Sequence, residues 1–164
     1  MRIFIGIPVT NIESYYLSFQ EKHKGIKAKW LNPSDLHITL IPPWKTENVE
    51  EEIEKFRMFN NMFSITDVEL TTIQKGKKII VAIAPKNSSI FKMEKKLKSV
   101  FVSTTSKREL LPHVTLARSI NENAIFSQQN INWKVSIDKI ALFESIPNFE
   151  DKRYRILCEI KLNE

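Results

Sequence analysis

The string His37-Ile38-Thr39-Leu40 returns as His113-Val114-Thr115-Leu116, 76 residues later. A second string, Phe4-Ile5-Gly6-Ile7-Pro8, resembles Val81-Ala82-Ile83-Ala84-Pro85 at an offset of 77. Each half therefore reads strand-Pro, capped helix, polar loop, then a strand carrying His-x-Thr-Leu. Two matches at nearly one offset predict a duplication: one domain over 1–164, made of two similar lobes related by a pseudo-twofold axis. The period exceeds the roughly 20–50 residues of stacked repeats, which excludes a solenoid.

The elements between these strings follow from periodicity. Ile3–Val9 is a short apolar run, read as a buried strand. Asn11 is placed to cap a helix whose apolar positions are Ile12, Tyr15, Tyr16 and Phe19, with Gly25 as its stop. Ala28–Leu31 reads as a strand and Asn32–Asp35 as a turn. Leu36–Ile41 alternates like a strand, which Pro42-Pro43 are expected to end. Val49, Ile53 and Phe56 mark a second helix. Phe63–Gln74 and Lys78–Pro85 read as strands joined by Lys75-Gly76-Lys77. Asn87 or Ser88 caps a third helix carrying Ile90, Met93, Leu97, Val100 and Phe101 on one face. Ser103–Glu109 reads as a polar loop, Leu110–Arg118 as a strand and Glu122–Gln128 as a short helix. Trp133–Ser145 and Tyr154–Leu162 close the chain as strands paired across an Ile146–Lys152 loop.

Composition narrows the class. The chain is 164 residues long and 42% hydrophobic, enough for one real core. No apolar run approaches the roughly 20 residues of a membrane span, so no membrane role is expected. The N-terminal run reads as a strand and not as a signal peptide, so the expected location is cytoplasmic. The lone Cys158 excludes an internal disulfide and a cysteine-based zinc cluster; it reads as core and not as a nucleophile. Lys plus Arg exceed Asp plus Glu by 25 to 19, a net charge of +6 that favours phosphate-bearing partners.

Side chains alternate along a strand, so His37 and Thr39 share one face while Ile38 and Leu40 take the other. His113 and Thr115 share a face in the same way. A pseudo-twofold axis sets two imidazoles and two hydroxyls across one cleft. That set suits a phosphate: hydroxyls donate to the non-bridging oxygens, and the imidazoles flank the bonds made and broken. One neutral and one protonated imidazole supply paired base and acid, predicting a bell-shaped pH profile with both limbs around 6.5. Two histidines can also bind zinc, but no third ligand sits at suitable spacing, so no metal and no cofactor are expected. His23 reads as solvated and Asp35 as a local cap. Trp30, Trp44 and Trp133 can stack bases or fill a core, and the sequence leaves both readings open.

Trp30-Leu31-Asn32-Pro33-Ser34-Asp35-Leu36-His37-Ile38-Thr39-Leu40 and Leu111-Pro112-His113-Val114-Thr115-Leu116-Ala117-Arg118 resemble the two signatures of the two-histidine phosphoesterases. The branch they resemble is the RNA 2′,3′-cyclic phosphodiesterases, also called 2′-5′ RNA ligases. The first strand and Ile140–Ser145 resemble it too, so the likeness spans nearly the whole chain. It implies an α+β, bilobal fold, with antiparallel-rich sheets flanking a V-shaped cleft and helices outside. It implies no metal requirement, His37 as general acid and His113 as general base. It implies that Thr39 and Thr115 hold the phosphate and that Arg118 sits near phosphate or ribose. The expected partner is an RNA or nucleotide with a 2′,3′-cyclic phosphate end, cleaved by a monomeric enzyme to a 2′-phosphate, with 2′-5′ ligation as the companion reaction. The alternatives are a small cyclic nucleotide or ADP-ribose cyclic phosphate as substrate, or a non-catalytic nucleotide- or RNA-binding module. One departure stands out: where the branch has a Lys-Phe-Leu-Gly-like run, this chain has Ile41-Pro42-Pro43-Trp44-Lys45, which bears on substrate preference.

Overall fold

The structure is a computed structural model that describes residues 1–101, 109–147 and 153–164. The polar loop expected over Ser103–Glu109 and the connection over Ile146–Lys152 lie outside these residues apart from their ends.

Among the described residues the strands are β1 (Arg2–Pro8), β2 (Lys29–Trp30), β3 (His37–Lys45), β4 (Thr66–Lys75), β5 (Ile79–Ile83), β6 (His113–Arg118), β7 (Gln129–Ile137), β8 (Lys139–Ser145) and β9 (Tyr154–Lys161). The helices are α1 (Glu13–Lys22), α2 (Val49–Arg57) and α3 (Ser88–Lys98). The strands form one sheet in the order β7-β4-β5-β6-β3-β1-β8-β9, with β2 added beside β6. All pairings between named strands are antiparallel. Outward from the β3–β6 join, the order is β6-β5-β4-β7 on one side and β3-β1-β8-β9 on the other. Each histidine-bearing strand lies antiparallel to the strand that precedes it through a helical connection.

The join is narrow. A single pair, Ile38 opposite Val114, links β3 to β6. Beyond it the strands part, and β2 takes β6 as partner through Trp30 and Ala117. The helices brace across this seam. Tyr16 on α1 is fully buried, and its hydroxyl donates to the carbonyls of Leu31 (2.6 Å) and Leu116 (3.2 Å). Burial pushes its phenol well above the ordinary value. α3 packs against β3, and its buried Ile90, Met93 and Leu97 belong to one apolar core shared by both sides of the seam.

The two histidine strands bulge at matching positions. Against β1, Thr39 and Ile41 oppose Gly6 and Ile5, leaving Leu40 as the extra residue. Against β5, Thr115 and Ala117 oppose Val81 and Ile80, leaving Leu116 extra, again 76 residues on. The same registers place Pro8 across from His37 and Ile83 across from His113. The Pro8–Pro85 match in the sequence is thus two residues out of register; the even slip keeps every side chain on its face.

Several expectations change. Pro42 and Pro43 do not end β3, which runs to Lys45. They fall where β3 has left β6 and where its register against β1 slips between Ile41 and Trp44, so their missing N–H groups remove no ladder bond. Asn11 does not cap α1: Ile12 holds that position, and the Asn11 amide donates to the Lys134 carbonyl instead. The helix expected over Glu122–Gln128 is an Asn121-anchored turn followed by irregular chain up to β7. Trp133–Ser145 is two strands, broken at Asp138, which run to opposite sides of the sheet. The three tryptophans all pack into or against the core.

Candidate active site

The Ile38–Val114 pair settles the geometry of the repeated motif. Residues directly opposite in an antiparallel pair share a face, so Ile38 and Val114 both enter the core, where they are fully buried. His37, Thr39, His113 and Thr115 flank them and occupy the other face. His37 sits across from Thr115, and Thr39 from His113. The imidazoles stand on the diagonal of this pair, a position whose residues lie about 7–8 Å apart in a regular antiparallel ladder.

Each imidazole is held in one orientation. The Nδ1 of His37 lies 2.7 Å from the Asp35 carbonyl oxygen, and that of His113 lies 2.7 Å from the Leu111 carbonyl oxygen. A carbonyl only accepts, so Nδ1 carries the proton in both rings and Nε2 is left for substrate. Local backbone makes this bond available: Asn32 caps the 3-10 turn Pro33–Asp35, with its side-chain oxygen 3.0 Å from the Ser34 N–H. The turn aims the Asp35 carbonyl at the ring two residues on.

The two rings differ in surroundings. His37 is 8% exposed and boxed by aromatic rings: Phe4 at 4.8 Å, Tyr154 edge-on at 4.8 Å and Phe143 at 5.7 Å. Gly6 makes room for that box. A Cβ on it would strike the Ile38 carbonyl at 2.8 Å, and the Phe4 and Phe143 rings close over the space at 3.5 Å. Burial holds the His37 pKa down at about 4, although the Asp35 carbonyl favours the charged ring; the positive charges of Arg118 and His113 depress it further. Free His37 is therefore neutral at pH 7. His113 is more open, with only partial burial.

Arg118 reaches the same place by way of the Leu116 bulge. Before the bulge, odd-numbered residues face the cleft; after it, the alternation shifts and Arg118 turns inward. Ser119 follows at φ 55, a left-handed conformation that is uncommon without glycine and ends β6 directly after the arginine. The Nε of Arg118 is buried without a hydrogen-bond acceptor. A cavity of about 390 Å³ opens here, lined by Arg2, Phe4, His37, Thr39, Pro43, Arg118, Ser145, Arg153 and Tyr154. His113 and Thr115 are not part of that lining; the structure brings them to the same face through the register. A larger cavity, about 630 Å³, lies between α3 and Met62–Thr66, but its lining holds no imidazole or carboxylate.

Of the residues singled out by sequence, His37, Thr39, His113, Thr115 and Arg118 come together. His23 does not: its ring is half-buried 4.2 Å from Phe19, with Nδ1 donating to the Phe19 carbonyl and Nε2 accepting from the Gln129 amide. It is packed rather than solvated. Cys158 is partly buried against the core. Among the described residues no three His, Cys, Asp or Glu side chains converge as a metal site would require. Asp35 is not the local cap expected, since Asn32 caps that turn: it is 3% exposed, and its carboxylate accepts from the Arg153 N–H at 2.9 Å. Arg2, Ser145, Arg153 and the aromatic box were not visible as site residues, because register and strand order put them there.

No protein-family model matches the chain, and no curated protein matches it by sequence. Solved structures match it in shape. It is similar to TT0787 of Thermus thermophilus, with a TM-score of 0.82 and 16% identity over 98% of this chain and 97% of that one. It is similar to E. coli LigT complexed with 3′-AMP, with a TM-score of 0.81 and 17% identity over 99% and 98%. The PDE domain of MHV ns2 matches with a TM-score of 0.64 and 13% identity over 98% and 99%. The chain has the α+β fold of these proteins, the two-histidine phosphoesterase fold.

Proposed function

We propose that this chain, carrying that fold and a doubled His–Thr site, is a metal-independent phosphodiesterase that opens a 2′,3′-cyclic phosphate, at an RNA end, to a 2′-phosphate. The observation that carries the reading is the placement of four side chains on one face of the β3–β6 join: two imidazoles whose Nδ1 atoms are held by backbone carbonyls, leaving Nε2 for substrate, and two hydroxyls. LigT has been seen with 3′-AMP, ATP and NADP+, which supports a nucleotide as the ligand class. The matching bulges and the strand order on either side of the join support reading the chain as a duplication.

In this reading His113, neutral with Nδ1–H fixed on Leu111, takes the proton of the attacking water at Nε2. The water oxygen bonds to phosphorus as the bond to the 3′ oxygen breaks, and His37 delivers its Nε2 proton to that oxygen. Thr39 and Thr115 donate to the non-bridging oxygens, and the unpaired Arg118 Nε donates to the same anion. The phosphate's negative charge offsets Arg118 and favours the His37 imidazolium. An imidazolium that the free site holds near 4 is also a strong proton donor. With a 5′-hydroxyl end in place of water, the same groups make a 2′-5′ linkage.

The test is product analysis after incubation with an RNA ending in a 2′,3′-cyclic phosphate. A 2′-phosphate product supports the reading. A 3′-phosphate product, or none, overturns it.

A further inference from the structure

The proposed reaction needs one arginine, and the cavity has three. A cyclic phosphate carries one negative charge, which Thr39, Thr115 and Arg118 are enough to hold. Arg2 and Arg153 line the same cavity of about 390 Å³, and none of its lining residues is acidic. Among the described residues, neither guanidinium forms an ion pair with a carboxylate. Three like charges gathered in a small space repel, and an anion inside the cavity offsets that cost.

The second pair is positioned as well as present. β1 and β8 run with Ile3 opposite Glu144, so Arg2 and Ser145 are the next cross-strand neighbours on the cleft face. Ser145 in turn pairs with Tyr154, whose ring touches His37. Arg153 is fixed beside Tyr154 by its backbone bond to the buried Asp35 carboxylate, the residue whose own carbonyl holds the His37 ring. One residue thus ties the Arg153 position to the catalytic imidazole, through its carboxylate on one side and its backbone carbonyl on the other.

We propose that Arg2, Arg153 and Ser145 form a second phosphate subsite, so that the preferred substrate bears another phosphate besides the cyclic one. When the 2′ and 3′ oxygens of a ribonucleoside are both in the ring, the 5′ oxygen is the remaining ribose position that can carry it. The second phosphate is a 5′-phosphomonoester or the phosphodiester to an upstream nucleotide. Guanidinium and hydroxyl donors serve either. This inference rests on the cyclic phosphodiesterase reading and names its substrate class.

The experiment compares kcat/KM on adenosine 2′,3′-cyclic phosphate, on its 5′-phosphorylated form and on an adenylyl dinucleotide with the same cyclic end. The protein is used as the full chain, wild type and with Arg2→Gln and Arg153→Gln combined. Wild type should favour at least one phosphate-bearing substrate by about tenfold or more, the scale of a charge-assisted hydrogen bond, and the variant should lose that ratio. Preference for the 5′-monophosphate identifies a nucleotide, and preference for the dinucleotide identifies an RNA chain. A wild-type ratio near one, or a ratio that persists in the variant, overturns the subsite. If nothing is turned over, the catalytic reading fails by itself, and binding decides the subsite: adenosine 3′,5′-bisphosphate must bind wild type more tightly than 3′-AMP, and the variant must lose the difference.

Discussion

His37 makes this protein's stability depend on pH between about 4 and 6.5. Its pKa is about 4 in the folded chain, against 6.5 in an unfolded one. Between those values the unfolded state binds a proton that the folded state does not, so folding stability rises with pH and falls on acidification. The full difference is about 3 kcal/mol at 1.36 kcal/mol per pH unit, reached below pH 4. Evaluated at two accessible conditions, His37 alone removes about 2 kcal/mol between pH 7 and pH 4.5. Its cause is the aromatic box, since desolvation is the largest influence on the ring. His37→Gln removes the titration while keeping an amide N–H for the Asp35 carbonyl. Urea denaturation of both proteins at both pH values gives the comparison. Wild type should lose about 2 kcal/mol more than the variant on acidification. Equal losses would mean that the ring is not held neutral by burial. The same shift corrects the expected activity profile: the acid limb of kcat/KM, which reports the free protein, should lie near 4 instead of near 6.5.

Three further outcomes are expected. Thr39→Ala and Thr115→Ala should each lower turnover on a cyclic phosphate by roughly 10- to 150-fold, with smaller effects on the urea midpoint; unchanged kinetics in both would turn the hydroxyls away from the substrate. Gly6→Ala should reduce both stability and turnover, because its Cβ meets the Ile38 carbonyl at 2.8 Å and displaces the strand holding His37 and Thr39; wild-type activity at wild-type stability would contradict that packing. Turnover should survive EDTA, because the proposed chemistry is carried by imidazoles, hydroxyls and a guanidinium; loss on chelation with recovery on adding a divalent ion would count against it.

Much of this was legible in the chain. The His-x-Thr alternation forecast which side chains share a face, because a strand has a period of two and Ile38 and Val114 had to be buried. The +5 position of Arg118 was legible only through the family resemblance, since simple alternation sends it to the wrong face and a bulge at Leu116 brings it back. Pro42 and Pro43 read as a strand end because a proline costs a ladder bond, yet no bond was due at those positions. The offset of 77 for the strand–proline string was a local likeness that the hydrogen-bond register does not follow. Arg2, Arg153 and Tyr154 lie far from both motifs in sequence. Their place beside His37 depends on β8 and β9 joining β1, a long-range pairing that no local pattern encodes.

The central claim is that His37 and His113 act as one acid–base pair. Its most direct test is a mutant cycle in kcat/KM on a 2′,3′-cyclic mononucleotide with His37→Ala, His113→Ala and the double substitution, each checked for an intact fold. Each single change should cost orders of magnitude and the double should be little worse than either, because a unit that has lost one member has little left to lose. Losses that multiply cleanly, or a folded single mutant with near-wild-type turnover, would contradict it.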